Sequence, residues 1–221
     1  MTIIAALLLP LALLQAGLTT GTPDRFAQCV ASIPADANKA YEDAMAWAAE
    51  AQAVNAYRCA AMALIVQERH SEGARRLESL GSALNPAETT LRAELFSQAG
   101  NAWLLAREPA RARSSFTRAI ATMDADPSQL PDLLIDRARA YAMERAWRLA
   151  EEDLARALDI RPRDALALRL RAAARMHQRS FDLAEVDALA AAALEPGNVD
   201  NYLVLGHVRE SKRIGAPVDE Q

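Results

Sequence analysis

Lysine is almost missing from this chain: of 25 basic residues only Lys39 and Lys212 are lysine, and the rest are arginine. The arginines are scattered and interleaved with 29 acidic residues, for a net charge of −4. No one-sided basic stripe results, which argues against an electrostatic nucleic-acid binder. Aromatics make up 5% of the chain and glycines number 8, too few to favour a sheet-rich fold. Histidine occurs only as His70, His177 and His207, and no two stand in an HxxxH or HExxH spacing. No GxGxxG, P-loop or GxSxG occurs either, so metalloprotease, nucleotide and serine-hydrolase signatures are all absent. No enzyme activity, cofactor or metal is expected. What is abundant is alanine, at 50 of 221 residues, within a composition that is 52% hydrophobic and 24% charged. That balance describes a folded chain, neither disordered nor multiply membrane-spanning, with a strong bias to helix.

Charge is also missing from the first 23 residues, the first charged side chain being Asp24. Within them Ile3 to Leu14 form the apolar run IIAALLLPLALL, which contains Pro10. A run of this length is too short for a bilayer core of roughly 30 Å but suits the apolar region of a signal peptide. The segment 1–20 is therefore expected to be a signal peptide, cleaved between 16 and 23, although no Lys or Arg precedes the run. A buried N-terminal helix or an uncleaved anchor is the other reading, and the anchor would be the chain's one route to a membrane. The expected location is periplasmic or otherwise exported. In an oxidising compartment the two cysteines, Cys29 and Cys59, are expected to pair. Such a bridge is worth roughly 3–4 kcal/mol on the chain-entropy argument. Two buried thiols are the alternative, and two cysteines alone make no structural zinc site.

The fold is carried by an internal repeat. LIDRARAYAMERAWRLAEEDLARALDIRP, from Leu134 to Pro162, aligns without a gap on the stretch from Leu168 to Pro196, at an offset of 34. Leu134 matches Leu168, Arg137 matches Arg171, Ala138 matches Ala172, Trp147 matches Phe181, and Pro162 matches Pro196. The pattern reads as a first helix with a small residue where its partner crosses, then a short turn. An aromatic opens the second helix, and proline ends the unit. A looser copy upstream keeps Phe96, Gly100, Trp103, Ala112, Phe116 and Ala119, and another keeps Tyr57, Ala61, Leu64, His70, Gly73 and Leu77. The extra residues of these two copies are assigned to loops at 81–90 and 124–131.

The pattern resembles the tetratricopeptide repeat, a helix–turn–helix unit with a period of 34. The resemblance implies an all-α, right-handed solenoid of helix–turn–helix repeats. Its units are expected at 54–84, 92–124, 131–162 and 165–196, after a degenerate helical pair at 24–50. A capping helix at 199–213 and a disordered tail at 214–221 complete the division. The resemblance also implies that first helices line a concave groove. Its candidate lining is Arg58 and Met62, Ser97 and Asn101, Ile135 and Arg139, Arg169 and Ala173, and Leu203 and His207. Arginines there suit an extended peptide or short helix carrying a carboxylate. Some relatives hold a C-terminal carboxylate with a Lys, Asn and Arg clamp. Only Asn101 and Arg139 echo it, the paired lysine is missing, and that specificity is not carried over.

The remaining polar features read as structural. His70 stands where the aligned units have Trp147 and Phe181, and so is expected to pack as a turn ring. The run Glu151-Glu152-Asp153 lies among Arg145, Arg148 and Arg156 and is expected to form ion pairs on a solvated face. The function these features imply is a non-enzymatic interaction module with an unidentified protein partner. A self-associating scaffold of an envelope assembly is the main alternative, and an enzyme accessory the lesser one.

Overall fold

The computed structural model describes residues 24–51, 53–123 and 128–218, so the expected signal peptide lies outside the described residues. Among the described residues there are eleven α-helices and no strand. They are α1 (Arg25–Ser32), α2 (Ala37–Ala51), α3 (Val54–Val66), α4 (His70–Ala83), α5 (Thr89–Leu105) and α6 (Pro109–Thr122). There follow α7 (Leu130–Met143), α8 (Trp147–Ile160), α9 (Ala165–His177), α10 (Phe181–Leu194) and α11 (Val199–Ile214). Among the described residues no helix is long and apolar enough to cross a membrane.

Four hairpins, α3/α4, α5/α6, α7/α8 and α9/α10, stack in order, and each second helix also packs on the next first helix. Their turns share one backbone device. Glu68, Arg107, Arg145 and Arg179 are left-handed, with φ of 63°, 57°, 57° and 65°. The amide after each reaches back to the helix just ended: Arg69 N to Leu64 O, Glu108 N to Trp103 O, Ala146 N to Tyr141 O and Ser180 N to Arg175 O. Such a closure satisfies the last carbonyls of the helix and reverses the chain in three residues. It also carries a conformational cost, because none of the four is glycine.

The small residue in each first helix has a steric reason. A Cβ on Gly100 would stand 2.6 Å from the Phe116 ring. Ala138 and Ala172, at the same repeat position, are buried. Around these crossings Phe96, Trp103, Phe116, Leu134 and Leu154 are fully enclosed. The longer first connection is partly absorbed into helix, since α5 starts at Thr89 rather than at 92.

The acidic run departs from expectation. Asp153 is 4% exposed, on the same side of α8 as Ala150, Leu154 and Ala157, and so faces α7 instead of solvent. It takes both arms of the Arg137 guanidinium, each at 2.7 Å. One repeat later Asp187 takes both arms of Arg171, each at 2.8 Å. These hydrogen bonds, against the cost of burial, hold both arginines above their usual pKa, so they stay charged. Glu151 turns towards α9, accepting from Arg175 Nε at 2.7 Å and Gln178 Nε2 at 2.6 Å. Burial pushes its carboxyl up, but those bonds and the charges of Arg175 and Arg171 outweigh that and hold it below the usual range. Only Glu152 points outward, and the expected pairing along the helix is kept by Glu152 with Arg148 and by Asp153 with Arg156 at 3.6 Å.

Both ends are tied down. Cys29 of α1 and Cys59 of α3 form a disulfide, with Cα atoms 6.3 Å apart. At the other end Gly215, at φ 71°, closes α11, and Arg179 bonds its carbonyl. Val218 N donates to Ser211 Oγ at 2.9 Å, so the expected tail begins as an ordered turn, while 219–221 lie outside the described residues.

Candidate interaction groove

Successive hairpins bring equivalent positions of the first helices side by side, so columns of the repeat become rows on one face. Two concave spaces lie along it. The first, about 380 Å³, is walled by Val30, Ile33 and Pro34 of the α1–α2 corner and by Met62, Val66, Gln98, Asn101 and Leu105. The second, about 530 Å³, is formed by Asn101, Leu104, Leu105, Arg139, Ala142, Met143 and Leu170. They share Asn101 and Leu105 and make one groove across α3, α5, α7 and α9.

Several expected residues do line it. Met62, Asn101 and Arg139 form the middle row, with Asn101 at the junction of the two spaces. Others do not stand free. Ile135 is 3% exposed and packs against Ala167 and Leu168 in the core between α7 and α9, so it offers no open surface. Ser97 is half-buried. His207 is half-buried with its Nδ1 enclosed and unbonded, while Leu203 is exposed.

Each groove arginine is already matched by an acid of the chain. Arg58 donates to Glu94 at 2.9 Å and to Gln98 at 3.0 Å, and its guanidinium lies over the Phe26 ring of α1. Asp136 receives both Asn101 Nδ2, at 3.1 Å, and Arg139 Nη1, at 3.2 Å. The two residues that echo a carboxylate clamp are thus closed on an internal carboxylate. Arg169 pairs with Asp200 at 3.2 Å and lies against Asn198 and Asn201. The groove carries little net charge.

What stands open is apolar. Val66, Leu105 and Met143 end α3, α5 and α7, and they are 56%, 57% and 45% exposed. The fourth member of this row is His177, whose ring stacks on Trp147 at 4.0 Å between centroids. Sequence reasoning passed over this row, although all four stand two residues before the left-handed turn residue. His70, expected as a turn ring, is half-buried at the start of α4 beside Arg69, Ser71 and Arg107. Among the described residues no group of three His, Cys, Asp or Glu side chains is placed to hold a metal.

No family model matches the chain, and no curated protein matches it in sequence. Solved structures do match in fold. YrrB, described as a tetratricopeptide-repeat protein with an unusual peptide-binding site, is 18% identical with a TM-score of 0.59. The match covers 78% of this chain and 85% of that one. The first tetratricopeptide-repeat domain of human RPAP3 is 23% identical with a TM-score of 0.52, over 59% of this chain and 96% of that domain. The first such domain of Spaghetti, bound to the HSP90 peptide SRMEEVD, is 26% identical with a TM-score of 0.50. It covers 56% of this chain and 95% of its own.

Proposed function

We propose, from the premise that this chain is a solenoid of the tetratricopeptide-repeat fold, that it is a non-enzymatic interaction module. Its concave groove takes an extended peptide or short helix of another protein. The exposed row Val66, Leu105 and Met143 carries the reading, because it is a regular apolar surface that no other described residue covers. Met62, Asn101 and Arg139 frame that row, and Arg58, Ser97, Arg169 and His207 extend it towards the two ends. Since the arginines are internally paired, the recognised segment is apolar first and charged second. The peptide complex of the Spaghetti domain supports the mode of binding, as a property of that protein. The setting we propose is an exported, oxidising compartment such as the bacterial periplasm. The disulfide is compatible with that setting, and the apolar N-terminal run supports it.

The test is in-cell crosslinking of the tagged chain beside two variants, Leu105→Asp with Met143→Asp, and Arg139→Glu with Arg169→Glu. A partner held by the wild type and lost at least tenfold by the apolar variant is expected, with unchanged circular dichroism. The charge variant is expected to lose less. Equal capture by all three would place binding on another face.

A further inference from the structure

Among the described residues a second exposed apolar surface lies on the convex side of the solenoid, and α10 provides it. In α8 the outward positions are Leu149, Glu152, Ala155 and Asp159, and in α6 they are Arg111, Ser114, Thr117 and Ala121. The corresponding positions of α10 are Leu183, Val186, Leu189 and Ala193. Leu183, Val186 and Leu189 are 55%, 63% and 45% exposed. The acids of α10 lie to either side of this strip, Asp182 and Glu185 paired with Lys212 of α11 and Asp187 buried against Arg171, so the strip itself is apolar and open.

We propose that α10 is the interface of a homodimer, in which two copies pack their convex faces antiparallel. This goes beyond groove binding and leaves the groove free. Leu183, Val186, Ala193 and the half-buried Ala190, which also packs on the core, follow the alternating three- and four-residue spacing of a helix–helix seam, with exposed Leu189 at its margin. Its bulky residues come first and its small ones last. Antiparallel pairing therefore sets Leu183 on Ala193 of the second copy, and Val186 on Ala190 of the second copy, twice over. A parallel pairing would oppose bulk to bulk and leave a gap at the alanines. The two-fold arrangement makes one patch complementary to itself. Charge agrees with the same register. One repeat earlier on the convex side, Glu152 and Arg156, both about half exposed, lie level with Val186 and Ala190. The two-fold axis brings Glu152 level with Arg156 of the second copy, and the reverse. Two 14-residue helices bury less than the roughly 800 Å² per partner of a standard interface, so the dimer is a weak, reversible one in the micromolar range.

Sedimentation of the full chain across concentration tests this. Wild type is expected to pass from monomer to dimer, and Val186→Glu, which copies Glu152 of α8 and leaves the core untouched, to stay monomeric at least tenfold higher. Glu152→Arg is expected to weaken the dimer about two- to five-fold, and adding Arg156→Glu to restore it. Since both native cysteines are paired, an introduced thiol reports alone. A mixture of Val186→Cys and Ala190→Cys chains is expected to crosslink between the two variants in preference to either with itself. A wild type monomeric into the high micromolar range overturns the proposal, as does a dimer indifferent to Val186→Glu. A preference for like-with-like crosslinks overturns the antiparallel register.

Discussion

Glycine inside a helix costs roughly 1 kcal/mol against alanine unless something approaches too closely for a Cβ. Gly100 and Gly206 share one repeat position and differ in that respect. The Phe116 ring fills the space at Gly100, whereas among the described residues nothing lies within 4 Å of the Cβ site on Gly206 of the last helix, α11. Gly206→Ala is therefore expected to stabilise the chain by about 0.5–1 kcal/mol. Gly100→Ala is expected to destabilise it by about 1–2 kcal/mol, as overpacking outweighs the helical gain. Urea midpoints of the two variants check both signs. The small residue of the repeat was legible in the sequence at both sites. Only the structure distinguishes a crossing from an open edge.

Among the elements, α1 depends most on a covalent tie. It has eight residues, too few for a stable isolated helix, and none of them is fully buried. The disulfide holds it against α3, where Phe26 covers Arg58 and Val30 walls the groove. Replacing both Cys29 and Cys59 by Ser is expected to cost about 3–4 kcal/mol on the chain-entropy argument. Amide exchange over 25–33 should rise first while α7 to α10 keep their protection, and exchange mass spectrometry would show the order. The groove wall at Val30, Ile33 and Pro34 would loosen with it. That wall was not legible beforehand, because α1 precedes the recognisable repeats and reaches the groove only through its packing on α3.

At the scale of the whole molecule, stability passes between repeats through pairs such as Glu151 with Arg175 and Gln178. The folded chain holds the Glu151 carboxyl below its usual range, so its contribution is complete above the ordinary value of 4.5. It is lost as pH falls through the lower, folded value. Glu151→Gln is expected to lower the melting temperature near neutral pH and to flatten the acid decline. The melting temperatures of wild type and variant should converge as pH falls below the ordinary glutamate range. A constant difference from pH 7 to 3 would show that the pair does not couple the repeats.

The sequence by itself determined the order of helices and the repeat of the hairpins, and favoured the pairing of Cys29 with Cys59 that the structure shows. Those features depend on spacing and on which residue types can cross, turn or bridge. The repeat of 34 puts a small residue at each crossing, and the chain alone records it. The charge balance of the groove was decided only by tertiary structure. Arg58 is neutralised by Glu94, which is 36 residues away, and Asn101 is closed by Asp136, which is 35 away. Ile135 moved into the core, and Asp153 off the surface, for the same reason. A helix periodicity states which side chains share a face, but the neighbouring repeat decides which face water reaches.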